Sequence, residues 1–235
     1  MVLGIETGGF HLGVSLWRLP EEVGAPQASW HLLEVVGTRL GHQHARTLLA
    51  QVDAMLTRQG LTPTDIALIG VGRGPGGFTG IRVGMATAAG LHLGLDATVW
   101  PVDSLAVLAR HAAGHDGVVV PLIDARKSEV YGAAYHVPLE GVPRRLAEPR
   151  VGPREDVLAG LSEVTGDSSP LVFGSGAVVY GGASDVPPSW HVPCAAEAAW
   201  LAATEWEAAG RHGAAAAPID PVYVRPSDAE LNAGS

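Results

Sequence analysis

The chain has 235 residues, 47% of them hydrophobic and only 17% charged, with a formal net charge of −9. That length allows one large domain or two small ones with ample core, and the acidic balance argues against a chain that grips nucleic acid unaided. The single cysteine, Cys194, excludes an internal disulfide and a cysteine metal cluster. No stretch approaches the ~20 apolar residues of a membrane span, and Glu6 interrupts the only early apolar run, so a soluble, cytoplasmic protein without a secretory leader is expected.

Val2–Glu6, His11–Leu19 and Ser29–Gly37 read as three strands, with Gly8-Gly9 as a hairpin turn and Pro20–Pro26 as a longer loop. Ala45, Leu48, Leu49, Val52 and Leu56 recur at helical spacing and predict an amphipathic helix over His44–Arg58. Its other side, with Thr47, Ala50, Gln51 and Ala54, is weakly polar. Gly60 ends it, and Thr62-Pro63-Thr64-Asp65 leads into a strand over Ile66–Gly72.

The next stretch organises the chain. Arg73–Gly80 gathers Gly74, Gly76, Gly77 and Gly80 around Pro75, which predicts a tight loop, and Thr79 is the expected cap of a helix over Gly80–Leu93. Only Arg82 and His92 are ionisable in that helix. Gly80, Gly84 and Ala88 recur at i, i+4 and form a stripe where another backbone can come close, with Ile81, Met85, Ala89 and Leu93 beside it. A surface helix ordinarily keeps one polar face, and this one lacks it. Either it lies in the middle of the domain or another chain covers its second face.

Ala97–Val102 is a further strand, and Asp103 or Ser104 caps a helix to about Ala113. Val118–Asp124 is a buried-type strand, joined through the turn Ala125-Arg126-Lys127 to Ser128–Tyr135. Glu140–Val151 is strand or loop, Arg154–Leu161 a short helix, and Leu171–Phe173 a short strand. Asp185–Pro193 is a proline-rich loop, Ala195–Arg211 an alanine-rich helix, and Ala214–Ser235 an irregular tail. The order βββαβα, with an eroded second copy from Val118, predicts an α/β fold of duplicated units with a cleft between them. The expected division is 1–102 as an N-terminal lobe carrying the partner-binding helices, 103–213 as a C-terminal lobe, and 214–235 as the tail.

Candidate chemistry is sparse. The glycine loop precedes a helix N-terminus and could cradle phosphate, but it holds no lysine and lacks G-x-x-x-x-G-K-[ST], so a tight strand-to-helix turn is the preferred reading. His111 and His115 have the i, i+4 spacing of zinc sites, yet Gly114 falls between them at the expected helix end. His42 and His44 are two apart and point in different directions on a helix. No Ser/His/Asp or Cys/His nucleophilic set emerges, and no metal or cofactor is assigned.

GRGPGGFTGIRVG at Gly72–Gly84, IETG at Ile5–Gly8, PVDSLAVLA at Pro101–Ala109, IDARKSEVY at Ile123–Tyr131 and PVYVR at Pro221–Arg225 together resemble the TsaB (YeaZ) family. Arg73, Gly74, Pro75, Gly76, Gly77, Phe78 and Thr79 form the family-motif loop; Glu6 stands where the family usually has aspartate and Gly77 where it usually has serine. The resemblance implies a two-lobed, actin-like and sugar-kinase-like (ASKHA) fold. It also implies a role in making threonylcarbamoyladenosine beside the anticodon of tRNAs that read codons starting with A. In that role the chain resembles a non-catalytic paralogue of TsaD that pairs with it, joined by the ATPase TsaE, meets tRNA only through the complex, and forms a homodimer when alone. The expected partner interface is Thr47, Ala50, Ala54, Gly80, Ile81, Gly84, Met85, Ala88 and His92. Where the TsaD family carries an H-x-x-x-H pair, this chain has Ser104 and Leu108, and leucine cannot ligate a metal. In nucleotide-binding members of the fold, turns from both lobes grip the phosphates. Here Thr7-Gly8-Gly9-Phe10 could do so, but Asp124-Ala125-Arg126-Lys127-Ser128 has no glycine, and Asp124, which could hold Mg²⁺, is read as closing its turn. The alternative is a self-sufficient ATP- or metal-dependent enzyme of the same fold, such as a sugar-kinase-like ATPase or a metallopeptidase.

Overall fold

Strict alternation along the first strands decides how the N-terminal half is layered. The computed structural model describes residues 1–9, 11–39, 44–166, 169–211 and 220. Phe10, His42, the Pro221–Arg225 motif and, Asp220 apart, the expected tail lie outside them, as does the side chain of His44. Strands Val2–Glu6 (β1), His11–Arg18 (β2), His31–Arg39 (β3), Leu68–Gly72 (β4) and Thr98–Val102 (β5) form one sheet in the order β3-β2-β1-β4-β5. The first three are antiparallel; β1, β4 and β5 are parallel. Leu3 and Ile5 of β1, Ile69 and Val71 of β4, and Val99 of β5 point to one face. Helices His44–Arg58 (α1) and Phe78–Leu95 (α2) cover that face with Leu48, Val52, Met55, Ile81 and Met85.

The opposite face is built for an alanine-rich helix, Ala195–Ala208 (α6). Ser15, Gly4 and Gly70 stand in one cross-strand row. A Cβ at Gly70 would lie 2.7 Å from the Ala202 Cβ and 2.8 Å from the Ala198 carbonyl oxygen, so only glycine lets the helix come this close. Ser15 Oγ donates to the Ala195 carbonyl at 2.9 Å and Trp17 Nε1 to that of Ala196 at 3.2 Å. Trp30, Trp100 and Trp200 close the sides of this layer. Whether the C-terminal helix returns to the first sheet is open from sequence; it does return.

The second half repeats the plan. Helix Ser104–Arg110 (α3) leads to strands Gly117–Arg126 (β6), Glu129–Gly132 (β7), Tyr135–Val137 (β8), Arg144–Arg145 (β9) and Arg150–Gly152 (β10). The register from Gly117↔Val137 to Leu122↔Gly132 is unbroken, so β7 and β8 are two halves of one strand interrupted at Ala133-Ala134. Helix Arg154–Thr165 (α4), strand Leu171–Phe173 (β11) and helix Ser175–Tyr180 (α5) follow. Val119 pairs with Tyr135 and with Leu171, which places β11 parallel to β6 on its other edge. The result is a second βββαβα unit, and the molecule is a two-lobed α/β protein of the actin-like kind. α3 packs beneath this second sheet through Leu105, Leu108 and Ala109, joined by Ala112 of the turn that follows it. α3 stops three residues before the expected Ala113, and α5, which follows Gly174, is a helix that the sequence reading does not include.

Candidate functional site

The glycine loop, rather than a hydroxyl, decides where α2 begins. The Gly77 amide donates to the Gly8 carbonyl at 2.6 Å, and the Gly77 carbonyl accepts from the Ile81 amide at 3.0 Å. Gly77 is therefore the N-cap, with no side-chain cap; Thr79, expected in that role, lies exposed within the first turn. A Cβ at Gly76 would run into the Gly8 carbonyl, so this close approach requires glycine. The Arg73 amide donates to Val102 O at 2.9 Å and the Gly74 carbonyl accepts from Ser104 N at 2.8 Å; Gly74 and Pro75 are buried. The loop thus ties the β1–β2 turn to the end of β5 and the start of α3.

The small-residue stripe of α2 faces inward. A Cβ at Gly80 would collide with the Thr7 carbonyl and one at Gly84 with the Thr7 hydroxyl, which donates to Gly80 O at 2.8 Å. Ile81 and Met85 are buried in the core and Ala88 is 0% exposed. These five, expected to meet a partner, instead meet their own chain, because the β1–β2 turn supplies the backbone that the stripe accommodates. Of the other expected contacts, Thr47 and Ala54 are half-buried, Ala50 is exposed, and the exposed His92 donates from Nδ1 to Ala97 O at 2.7 Å.

The second face of the helix is open to solvent. Phe78, Arg82, Ala86 and Gly90 follow at i, i+4, and Leu93 beyond them is 86% exposed. Leu49, one of the apolar residues that recur at helical spacing in α1, is 51% exposed. Between the two helices lies a groove of about 730 Å³ lined by Leu49, Phe78, Arg82, Val83, Ala86 and Leu91 with their neighbours. The Arg82 guanidinium lies 3.9 Å over the Phe78 ring, which covers part of its charge and leaves the groove mainly apolar. An apolar groove open to water is what a partner helix would fill.

Between the lobes, polar residues converge but are engaged with one another. Glu6, 2% exposed, accepts from the Gly8 amide at 2.8 Å and from Ser104 Oγ at 3.1 Å. Burial pushes its carboxyl above the ordinary range. Asp103 caps α3 by accepting from Leu105 N at 2.7 Å, and its other oxygen accepts from Tyr135 OH and from Arg145, each at 3.3 Å. Its carboxyl is also raised by burial. Asp124 accepts from Arg126 N at 2.8 Å and Tyr180 OH at 2.9 Å, closing its turn, whose residues Arg126, Lys127 and Ser128 have φ of 63°, 53° and 63°. A nucleotide does not fit this set: the second turn has no glycine, and the Gly8 amide of the first is already occupied. Ser104 and Leu108 are both buried, and among the described residues no three His, Cys, Asp or Glu side chains are placed to hold a metal.

His111 lies just past the end of α3, where Nε2 donates to Val192 O at 3.0 Å; its partner in the spacing, His115, is exposed. Burial lowers the His111 pKa below its ordinary 6.5. A depressed folded-state pKa contributes stability that is full above about 6.5 and is lost as pH falls through the folded value. His111→Gln should therefore lose less stability than wild type between pH 7 and 5. Glu6 and Asp103 push the opposite way in both proteins, so the readout is the difference in melting temperature across that range. A difference independent of pH would refute the assignment.

Residues 35–148 match the family model of TsaD, the tRNA N6-adenosine threonylcarbamoyltransferase. The chain is 34% identical over 143 residues to the tRNA threonylcarbamoyladenosine biosynthesis protein TsaB of Escherichia coli, covering 60% of this chain. It is 31% identical over 134 residues to the TsaB of Bacillus subtilis, covering 57% of this chain. The matched stretches span 57% and 54% of those proteins, about half the length of each. Among solved structures, YeaZ from Pseudomonas aeruginosa superposes with a TM-score of 0.71 at 28% identity, covering 94% of this chain and 98% of that one.

Proposed function

Because the chain belongs to the TsaB (YeaZ) family, we propose that it is a non-catalytic scaffold subunit of the cytoplasmic assembly that builds threonylcarbamoyladenosine next to the anticodon of tRNA. In this reading a TsaD-like subunit performs the transfer. This chain holds it in an active arrangement and offers a TsaE-like ATPase a composite surface to dock on. Contact with tRNA is made through the complex, consistent with a net charge of −9.

The observation that carries the reading is the outward apolar groove between α1 and α2. α2 is apolar on two sides: one seals its own core and the other, from Phe78 to Leu93, is exposed beside Leu49. A standard interface removes roughly 800 Å² per partner from water, which a pair of helices laid across α1 and α2 could supply. Without the catalytic partner, a second copy of this chain is the natural substitute on the same surface, giving an isologous dimer. The buried Ser104 and Leu108 support a subunit that makes and breaks no bonds itself.

The test is co-purification with the cognate TsaD-like protein, followed by a tRNA modification assay with and without this chain. The expected result is a stable complex and modification that depends on both proteins. Full modification by the partner alone, or ATP turnover by this chain alone, would sink the scaffold reading, and the latter would restore an enzyme.

A further inference from the structure

We propose that the Glu6 carboxyl fills the position an incoming oxyanion would need between the lobes and, by occupying its hydrogen-bond donors, makes that site reject phosphoryl ligands. The proposal concerns the cleft and stands whether or not the α1–α2 groove binds a partner.

Three features of the cleft support it. Both carboxylate oxygens have donors of the kind a phosphate would seek: the Gly8 amide at 2.8 Å for one and the Ser104 hydroxyl at 3.1 Å for the other. The strand opposite is carved to receive the group. Gly72 follows Val71, the register partner of Ile5, and a Cβ there would overlap the Glu6 carboxyl. The turn is also locked from the other side, since the Gly8 carbonyl accepts from the Gly77 amide at 2.6 Å and the turn cannot tilt toward a ligand without losing that bond.

An incoming phosphate would therefore find the donors it needs already taken by a buried carboxyl. Displacing Glu6 would leave its oxygens buried without hydrogen bonds, which no surface contact offsets.

The experiment uses the full chain and its Glu6→Ala and Glu6→Gln variants, titrated with sodium formate, inorganic phosphate and Mg-ATP. Heat and the Gly8 and Gly77 amide resonances are both recorded. Wild type and Glu6→Gln should show neither heat nor shifts at millimolar ligand. Glu6→Ala should bind formate and phosphate with millimolar affinity and recover about 3 °C of melting temperature in formate. Movement of the Gly8 resonance in wild type on adding Mg-ATP would overturn the proposal, as would a folded Glu6→Ala that binds neither formate nor phosphate. If Glu6→Ala does not fold, Glu6→Gln carries the test. Its Gly8 amide should move upfield with the rest of the spectrum kept, and an unmoved Gly8 would overturn the proposal.

Discussion

Ala86→Arg should abolish co-purification with a TsaD-like subunit while leaving the melting temperature of the isolated chain within about 2 °C of wild type. Ala86 is exposed, lies mid-helix on the solvent face of α2 and lines the groove. Arginine is a good helix former, so the free chain loses little. In a complex, the same side chain would be buried among Leu49, Phe78 and Leu91 without an anionic partner. An unpaired charge there costs about 3–4 kcal/mol, roughly 10²–10³-fold in affinity. Ala159→Arg, on the exposed side of α4, is the control and should change nothing. If Ala86→Arg still assembles with wild-type affinity, the groove is not the docking surface. The neighbouring Ala88 gives no such test: at 0% exposure, an arginine there unfolds the protein before any partner is lost.

Two glycines of the same helix should respond to alanine with opposite sign. In an exposed helix interior, Gly→Ala stabilises by about 1 kcal/mol. Gly90 has nothing within 4 Å of its would-be Cβ, so Gly90→Ala should raise the melting temperature by about 2–4 °C. At Gly80 the new methyl would enter the Thr7 carbonyl, and the obstacle is backbone that cannot rotate away. Overpacking of that kind costs about 1–3 kcal/mol, occasionally more. Separating the turn from the helix also forfeits about 1 kcal/mol from the Thr7–Gly80 hydrogen bond. The two losses outweigh the gain in helix propensity by about 2 kcal/mol, so Gly80→Ala should lower the melting temperature by about 4–8 °C. Thermal unfolding of both variants decides it. Equal responses would mean that the Thr7 turn is not held against α2 in solution.

Period and punctuation are enough to read the strands of the first sheet and the full extent of α1; the second βββαβα copy is eroded, and its reading leans on the family resemblance. Alternation and 3.6-residue spacing are local, and each residue carries its part of the signal. The same reading identified the Gly80-Gly84-Ala88 stripe as a place of close backbone approach, and that was right in kind. Which backbone approaches is a different matter. Spacing on one helix is silent about its neighbour, and only the path of the chain from β1 through Gly8 into β2 brings Thr7 against the stripe. Spacing alone therefore points to the Gly80-Gly84-Ala88 side of α2 as the partner side, whereas the side open to solvent is the row Phe78, Arg82, Ala86 and Gly90. Leu49 shows the same limit, being apolar at helical spacing and yet exposed. Its spacing fits the apolar stripe, yet it lines the open groove beside α2.

Tertiary structure alone decided three further things. α6 returns to the first sheet because Gly4, Gly70 and Ser15 come into register only when three strands pair. Glu6 meets Gly8 and Ser104, 98 positions away in the latter case, because β1 ends and α3 begins at the same side of the cleft. Gly77 rather than Thr79 starts α2 because the Gly8 carbonyl claims its amide. What the residues settled by themselves was what each segment could become, since torsional preference and burial pattern act within a few positions. What each segment lies against was settled by packing over long chain separations, where hydrogen bonds and excluded volume act between residues that no local pattern connects.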